Sequence, residues 1–204
     1  MALKYKLTYF DGKGLAEPIR YILSYMGEEF EDDRFTKEEW PLIKPSTPFG
    51  KAPVLSVDGK QLCQSVALTR YLAKKADLVG KDEWEDLHID MIVDTIGDLR
   101  QAIASYYYDP DEESRAAKKE PLLNETIPFY MSKFENIANE NNGYLANGRL
   151  SWADIYLVAL SEYMSSIAGT DLLEPYPTLT SLKEIVWGIP KIKEWIEKRP
   201  KTDI

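Results

Sequence analysis

A change of hydrophobic period part-way along the chain limits the fold more than any other feature. Up to about residue 77, short β-type runs alternate with helix-type runs; after about Leu78 the two-residue alternation stops and apolar residues recur at helical steps. A strand or helix must bury its apolar face against another layer, so the first stretch implies a sheet carrying helices and the second a helical bundle. The expected class is α/β plus all-α, with one domain over residues 1–77, an all-helical domain over residues 83–204, and the boundary in Asp77-Leu78-Val79-Gly80-Lys81-Asp82. Charge divides the same way: residues 1–77 carry 12 basic and 11 acidic side chains, residues 78–204 carry 13 and 23.

Composition excludes several functions. With 204 residues, 44% of them hydrophobic, the chain has apolar surface for one generous core or two small ones, which a disordered chain lacks. A net charge of −9 leaves no basic footprint for nucleic acid or an anionic membrane surface. One cysteine, Cys63, cannot form an internal disulfide, a CxxC pair or a thiolate cage, and one histidine, His88, excludes multi-histidine metal sites. The start, Met-Ala-Leu-Lys-Tyr-Lys, has no apolar signal region, Ala2 stands where myristoylation needs glycine, and no apolar run approaches bilayer length. A soluble, cytoplasmic protein is expected.

Local patterns predict the elements. Tyr5–Phe10 reads as a strand, Asp11-Gly12-Lys13-Gly14 as a turn, and Leu15, Ile19, Leu23 and Met26 as the stripe of a helix with Pro18 in its first turns and Gly27 as its stop. Phe30–Phe35 is a second strand whose acidic residues suggest a sheet edge. Pro53–Val57 and Lys60–Leu62 flank Asp58-Gly59, a hairpin turn, and Gln64-Ser65 caps a helix carrying Leu68, Tyr71 and Leu72. A long helix from Glu83 to about Ser105 aligns Ile89, Ile92, Val93, Ile96, Leu99 and Ile103. Leu123, Ile127, Tyr130, Phe134 and Ile137 follow helical spacing with a kink expected at Pro128. Ser151-Trp152-Ala153-Asp154 is a capping signal, and Ile192, Trp195 and Ile196 mark a last amphipathic helix before Pro200. Trp84, Trp152, Trp187 and Trp195 are expected in the core, and Trp40 in a loop.

Three loops carry chemistry. Gly12-Lys13-Gly14-Leu15-Ala16-Glu17 lies between strand and helix, but Glu17 replaces the third glycine of a dinucleotide loop and no Gly-Lys-Ser/Thr follows. What remains is a strand ending in Tyr9-Phe10, which brings a phenol near the positive end of the next helix. Phe49-Gly50-Lys51-Ala52-Pro53-Val54-Leu55 with Gln64-Ser65 places two polar loops at neighbouring ends of the sheet. A cis Ala52-Pro53 bond would turn the Ala52 N–H and C=O outward to meet a peptide-like molecule, and a helix N-terminus at Ser65 beside the Gln64 amide suits a carboxylate.

These residues resemble the glutathione transferase family, its sigma class above all, which includes glutathione-dependent prostaglandin D synthases and arthropod enzymes. The carriers are Lys6-Leu7-Thr8-Tyr9-Phe10, Ala16-Glu17-Pro18-Ile19-Arg20, Trp40, Pro48-Phe49-Gly50-Lys51, Gln64-Ser65, Asp90-Met91-Ile92-Val93-Asp94-Thr95, Trp152-Ala153-Asp154 and Ile189-Pro190. The resemblance implies a thioredoxin-like N-terminal domain binding glutathione, an all-helical domain supplying the electrophile pocket and dimer contacts, and a homodimer. It implies that Tyr9 holds the glutathione sulfur, Trp40 and Lys44 the glycine end, Ala52 the cysteinyl backbone, and Gln64 with Ser65 the γ-glutamyl carboxylate, with Gly50, Lys51 and Pro53 alongside. Asp98 would cross the dimer to the ligand's amino group, and Phe10, Leu15, Arg100, Tyr156 and Ile204 would line the electrophile pocket with one of Tyr106, Tyr107 and Tyr108. Glutathione is the co-substrate, apolar electrophiles are the partners, and no metal is required.

Two departures qualify the likeness. Leu15 stands where the vertebrate prostaglandin synthases carry an arginine near the thiolate, and Gly97 interrupts the Asp94 and Asp98 cluster that resembles their metal site. The expected activity is conjugation of glutathione to apolar electrophiles such as lipid-peroxidation products, to which hydroperoxide reduction could be added. The alternatives are prostaglandin D isomerisation and a non-catalytic, crystallin-like or ligand-carrying relative, against which intact Tyr9, Gln64, Ser65 and Asp98 argue. His88 reads as a surface or interface residue, Cys63 as a small buried side chain, and Asn124-Glu125-Thr126 as a sequon without meaning in a protein that is not secreted.

Overall fold

In the computed structural model, which describes residues 4–202 and 204 and so leaves Ala2 outside, β1 spans Tyr5–Phe10 and buries Tyr5 and Leu7. A turn and one 3-10 step, Gly14–Ala16, lead into α1 (Glu17–Tyr25). The single stripe expected for this helix needs correction: every residue from Glu17 to Ser24 is buried, while Leu15 precedes the helix and is, like Met26, only half-buried. A helix buried all round must pair its charges internally, and Glu17 and Arg20 do so one turn apart at 3.0 Å.

β2 (Phe30–Phe35) runs parallel to β1 and lies at one edge of a four-stranded sheet. After the single-turn α2 (Trp40–Ile43), β3 (Val54–Val57) pairs antiparallel with β1, and β4 (Lys60–Cys63) pairs with β3, giving the order β2-β1-β3-β4. The hairpin turns on Asp58 and Gly59, with φ of 50° and 82°, the left-handed pair that Asp-Gly supplies. Helix α3 (Ser65–Lys75) buries Leu68, Thr69, Leu72 and Ala73, but Tyr71 from the expected stripe is exposed.

The chain divides into two compact units, residues to Asp77 together with Trp187–Ile204, and Leu78–Val186. In the second unit α4 (Glu83–Tyr107) opens on Asp82, whose carboxylate accepts the Trp84 and Glu85 amides, and it buries the six predicted apolar residues. Trp84 is not core: it is 66% exposed, because it falls with Leu87 and Met91 on a different face of the helix from Ile89, Ile92 and Ile96.

Beyond α5 (Glu112–Pro121) the chain makes one π-helical turn, Leu122–Thr126, and continues as α6 (Ile127–Glu140). The distortion expected at Pro128 thus lies in the turn before it. Pro128 has no N–H to give and its ring would crowd the carbonyl four residues back, and a wider turn relieves both. The extra residue also moves the buried stripe, which runs Leu122, Ile127, Met131, Phe134 and Ala138; the predicted Leu123, Tyr130 and Ile137 are half-buried. Helix α7 (Trp152–Ala168), buried along most of its length, packs on α4. The N-terminus of α8 (Pro177–Gly188) is closed by the Glu135 carboxylate of α6, which accepts the Thr178 and Leu179 amides at 3.0 Å each.

Helix α9 (Pro190–Lys198), expected in the all-helical domain, instead belongs to the first unit and packs on α1 through Ile192 and Trp195, with Ile196 half-buried and Trp187 also half-buried. Sequence order misleads here because an amphipathic helix at the end of a chain can return to any exposed apolar surface.

The capping signal at Ser151 forms in full. Asp154 accepts the Ser151 amide at 2.7 Å, the Ser151 hydroxyl at 2.9 Å and the Leu145 amide at 2.7 Å, all buried. Burial pushes the Asp154 carboxyl up to about 6, against the pull of those hydrogen bonds. Since the native carboxyl holds its proton above its unfolded value of about 3.9, the stability it contributes is complete below that value and is lost as pH rises through about 6. Denaturant titrations should therefore show the wild type losing stability relative to Asp154→Asn between about pH 4 and 6, with a constant difference above about pH 7. At neutral pH Asp154→Ala should cost about 1–3 kcal/mol, as expected for lost cap bonds and stranded amides.

Candidate functional site

Strand register decides which loops meet. Thr8 pairs with Val54, and Val54 with Cys63, so the next residues, Tyr9, Pro53 and Gln64, stand in a row at one end of three adjacent strands. All belong to the first unit, and the loops that the sequence nominates lie at this end.

The Tyr9 hydroxyl accepts a hydrogen bond from the Leu15 amide at 3.2 Å. This approach needs Gly14, which has φ of 41° and whose missing Cβ would sit 2.7 Å from the Tyr9 oxygen. The Leu15 N–H opens the 3-10 step leading into α1, so the hydroxyl lies at the positive start of a helical segment. A phenol oxygen that already accepts an N–H has its own proton to donate, and an anion receiving that proton feels both dipoles.

An aromatic group fixes the neighbouring wall. Phe35 lies 4.5 Å from Phe10 and stacks on Trp40 at 5.4 Å and 8°, and Phe10 and Trp40 are 5.3 Å apart between ring centres. Trp40 opens α2 rather than lying in an irregular loop, and its ring is held by this stacking. The exposed Lys44 runs beside Gly50, where an added Cβ would be 3.4 Å from Lys44 Cε. Lys51 is exposed, Ala52 lies outside the strand register, and the bond from Ala52 to the buried Pro53 is cis.

Ser65 does not cap α3. Gln64 is the cap residue, with φ of 77° and ψ of 98°, and gives no side-chain bond to the helix; Ser65 is the first helical residue. The first turn of α3 thus receives no side chain from its cap residue, which suits it to an outside anion. A left-handed glutamine costs on the order of 1–3 kcal/mol, and such strain clusters at ligand sites.

Sequence reasoning missed a buried charge network beneath the Tyr9 loop. Arg20, fully buried, donates to Asp32 at 2.8 Å, to the Gly12 carbonyl at 2.7 Å and to Glu17 at 3.0 Å. Glu17 also accepts Trp195 Nε1 at 2.8 Å and Arg199 Nη1 at 2.7 Å. The available signal was a pair of opposite charges three residues apart on a helix whose other positions are nearly all apolar. Ile204 adds its backbone, with its oxygen accepting the Lys13 amide at 2.9 Å.

The second unit holds the remaining predicted residues. Asp98 is exposed on α4, Arg100 is half-buried and donates to Gln101 at 2.9 Å, and Tyr106 is half-buried. Tyr107 and Tyr108 are exposed, and the Tyr108 hydroxyl accepts from that of Tyr163 at 3.4 Å. Tyr156 is buried on α7, and burial pushes its phenol up to about 12, with the Arg100 charge opposing and Asp94 reinforcing the rise. Among the described residues no three His, Cys, Asp or Glu side chains are grouped as a metal would require. His88 meets the Trp84 ring edge-on at 5.1 Å, and Cys63, expected to be buried, is half-buried at the end of β4. No helix among the described residues is long and apolar enough to cross a membrane.

Residues 5–74 match the family described as "Glutathione S-transferase, N-terminal domain" and residues 97–199 its C-terminal counterpart. The chain is 48% identical to Glutathione S-transferase S1 of Drosophila melanogaster over 98% of this chain and 80% of that protein. It is 38% identical to the hematopoietic prostaglandin D synthase of Homo sapiens over 98% of each. Among solved structures, one described as prostaglandin synthase D of Nilaparvata lugens is 51% identical, with a TM-score of 0.94 over 98% of this chain and 100% of that one.

Gly14→Ala tests the contact on which the site turns. Its methyl group would displace the Tyr9 hydroxyl, so the Leu15 amide should lose hydrogen-exchange protection, and stability should fall by about 1–2 kcal/mol from the forced left-handed alanine.

Proposed function

The chain belongs to the glutathione S-transferase family, and from that premise we propose that it is a sigma-class enzyme that activates the glutathione thiol at Tyr9 for attack on apolar electrophiles. The observation that carries this reading is the Tyr9 hydroxyl, held by the Leu15 amide beside the two loops suited to a peptide backbone and a carboxylate. A thiol with a pKa near 8.5 is only a few per cent ionised at neutral pH, and the thiolate is the nucleophile. Lowering that value by about 2 requires roughly 2.7 kcal/mol in favour of the anion. A charge-assisted phenol bond supported by a backbone N–H and a helix start is of that size. Leu15 thus contributes through its backbone, although its side chain has no charge.

The tripeptide's ends fit the surrounding residues. Trp40 and Lys44 would meet the glycine carboxylate, Ala52 the cysteinyl backbone, and Gln64 with Ser65 the γ-glutamyl carboxylate at the open start of α3, with Gly50, Lys51 and Pro53 shaping the loop. The thiol proton leaves to solvent and the sulfur forms a bond to the electrophilic carbon. An aryl halide then loses halide, and an alkenal takes a proton at the carbon next to its carbonyl. The family likeness also supports Phe10, Leu15, Arg100, Tyr106, Tyr156 and Ile204 as candidates for contact with the electrophile. No metal enters this chemistry, and a cytoplasmic setting suits a reduced thiol.

A homodimer belongs to the same proposal. Trp84, Leu87 and Met91 form an exposed apolar stripe on α4, and Asp98 lies two heptads beyond Trp84 on nearly the same face, placed to reach the amino group of glutathione on a second copy. Met91→Glu should shift sedimentation from two copies towards one and weaken glutathione binding together with it.

The Nilaparvata lugens relative favours a second reading, isomerisation of prostaglandin H to prostaglandin D. Analysis of products from both substrate classes separates the two. For conjugation, Tyr9→Phe should lower turnover with a chromogenic aryl halide and with an alkenal at least about tenfold, the loss of roughly 1.4 kcal/mol of transition-state stabilisation, while glutathione affinity stays nearly unchanged. Unchanged turnover would refute the role given to Tyr9.

A further inference from the structure

Glu17 and Arg20 are wholly buried charges that bond to each other, to Asp32, to the Gly12 and Lys13 carbonyls, and to Trp195 and Arg199. As a stabilising device the arrangement is poor. One Arg20 nitrogen, Nη2, is buried with no hydrogen-bond partner among the described residues, and buried ion pairs generally hold a helix no better than apolar side chains of equal volume. What apolar side chains cannot do is aim hydrogen-bond donors at backbone carbonyls in a fixed plane.

We infer that Arg20 is a positioning residue: by gripping the Gly12 carbonyl it aims the Leu15 N–H at the Tyr9 hydroxyl, and so sets how strongly that hydroxyl holds an anion. The contacts around the turn support this. Arg20 is anchored away from the loop by Nε on Asp32 at 2.8 Å, and Asp32 is held in turn by Arg34 at 2.7 Å, whose other end reaches Asp11 at 3.1 Å. From that anchor Nη1 reaches the Gly12 carbonyl at 2.7 Å, with the Lys13 carbonyl at 3.4 Å. The turn is closed on another side by Ile204, whose oxygen would lie 2.7 Å from a Cβ on Gly12, and by Lys13 Nζ on the Thr202 carbonyl at 3.0 Å. Glu17 ties Arg20 to Trp195 and Arg199, so α9 presses on the same clamp. The turn ends one residue before Leu15, and the Leu15–Tyr9 bond of 3.2 Å is already long for an N–H to oxygen contact. A shift of roughly a few tenths of an ångström in the turn takes it beyond the usual N–H to oxygen range and weakens it.

The inference rests on the proposed role of Tyr9, and its test separates the two. The quantity to follow is the ultraviolet absorbance of enzyme-bound glutathione thiolate against pH, in wild type, Arg20→Lys, Asp32→Asn, Tyr9→Phe and the Tyr9→Phe/Arg20→Lys double variant. Arg20→Lys keeps the charge but not the planar fork, and should give roughly three- to tenfold less thiolate below the wild-type midpoint, with glutathione affinity within about twofold. The acid limb of kcat/KM should move with it. Asp32→Asn keeps the guanidinium but weakens its anchor and the Arg34 contact that reaches Asp11 of the same turn, so it should shift the titration the same way and serves where Arg20→Lys does not fold. In the Tyr9→Phe background Arg20→Lys should cause no further loss, because it acts through the hydroxyl. An unchanged titration in Asp32→Asn, or in a folded Arg20→Lys, overturns the inference and leaves the Tyr9 role standing. A loss in the double variant equal to the two single losses combined does the same. An unchanged titration in Tyr9→Phe removes the reading on which both rest.

Discussion

A turn of four residues, 11–14, has to bring the amide of the next residue, Leu15, close enough to a strand-end phenol to give it a hydrogen, and the approach is possible only because of what surrounds it. Above the turn, the absence of a Cβ at Gly14 leaves room for the Tyr9 oxygen. Beneath it, Arg20 fixes the Gly12 carbonyl from inside a helix that is buried on every side. Taking a carboxylate and a guanidinium out of water costs several kcal/mol each, which hydrogen bonds among Glu17, Arg20, Asp32, Trp195 and Arg199 offset in part, so these groups have to be assembled together. The return of α9 to the first unit follows from this: Glu17 needs the indole and guanidinium that α9 and the residue after it bring.

The chemistry of the site is spread over groups that are individually ordinary. A phenol, a backbone amide, an uncapped helix start and a loop ending in cis-proline are each common, and none identifies an enzyme. Register converts them into one constellation, because Tyr9, Pro53 and Gln64 follow the last mutually paired residues of three adjacent strands at the same end. The family likeness over nearly the whole chain supports the proposal that this constellation takes glutathione, and the physical cost of ionising a thiol is what the proposed phenol contact would offset.

Much of the fold was legible beforehand, and for identifiable reasons. The four strands, the Asp-Gly hairpin, the long helix from Glu83 and the cap at Ser151 depend on signals within a few residues of one another. The misses share a different origin. Trp84 was expected in the core by residue type, yet the helix turns it away from the buried face. The apolar stripe around Pro128 was misplaced because a π turn inserts one residue into the helical count. The helix start at Gln64-Ser65 falls where expected, but the left-handed conformation of Gln64 was not foreseen, because side-chain preference argues against it. In the site, Tyr9, Gln64 and the Ala52-Pro53 loop were visible as motifs, while the clamp formed by Glu17, Arg20 and Asp32 was not, since its members come from a helix, a strand and a turn.

The amino-acid sequence by itself determined the order of elements, the α/β plus all-α class, and the residue types at the head of each functional loop, because periodicity, turn chemistry and caps act over short distances along the chain. Tertiary structure alone decided that α9 joins the first unit, that the Leu15 amide meets the Tyr9 hydroxyl, and that the buried Arg20 side chain, paired with Glu17, bonds the Gly12 carbonyl of the adjoining turn. Those outcomes depend on which surfaces meet across nearly two hundred residues of chain, and the energy of a buried ion or a tight backbone approach is set by neighbours that no local pattern records.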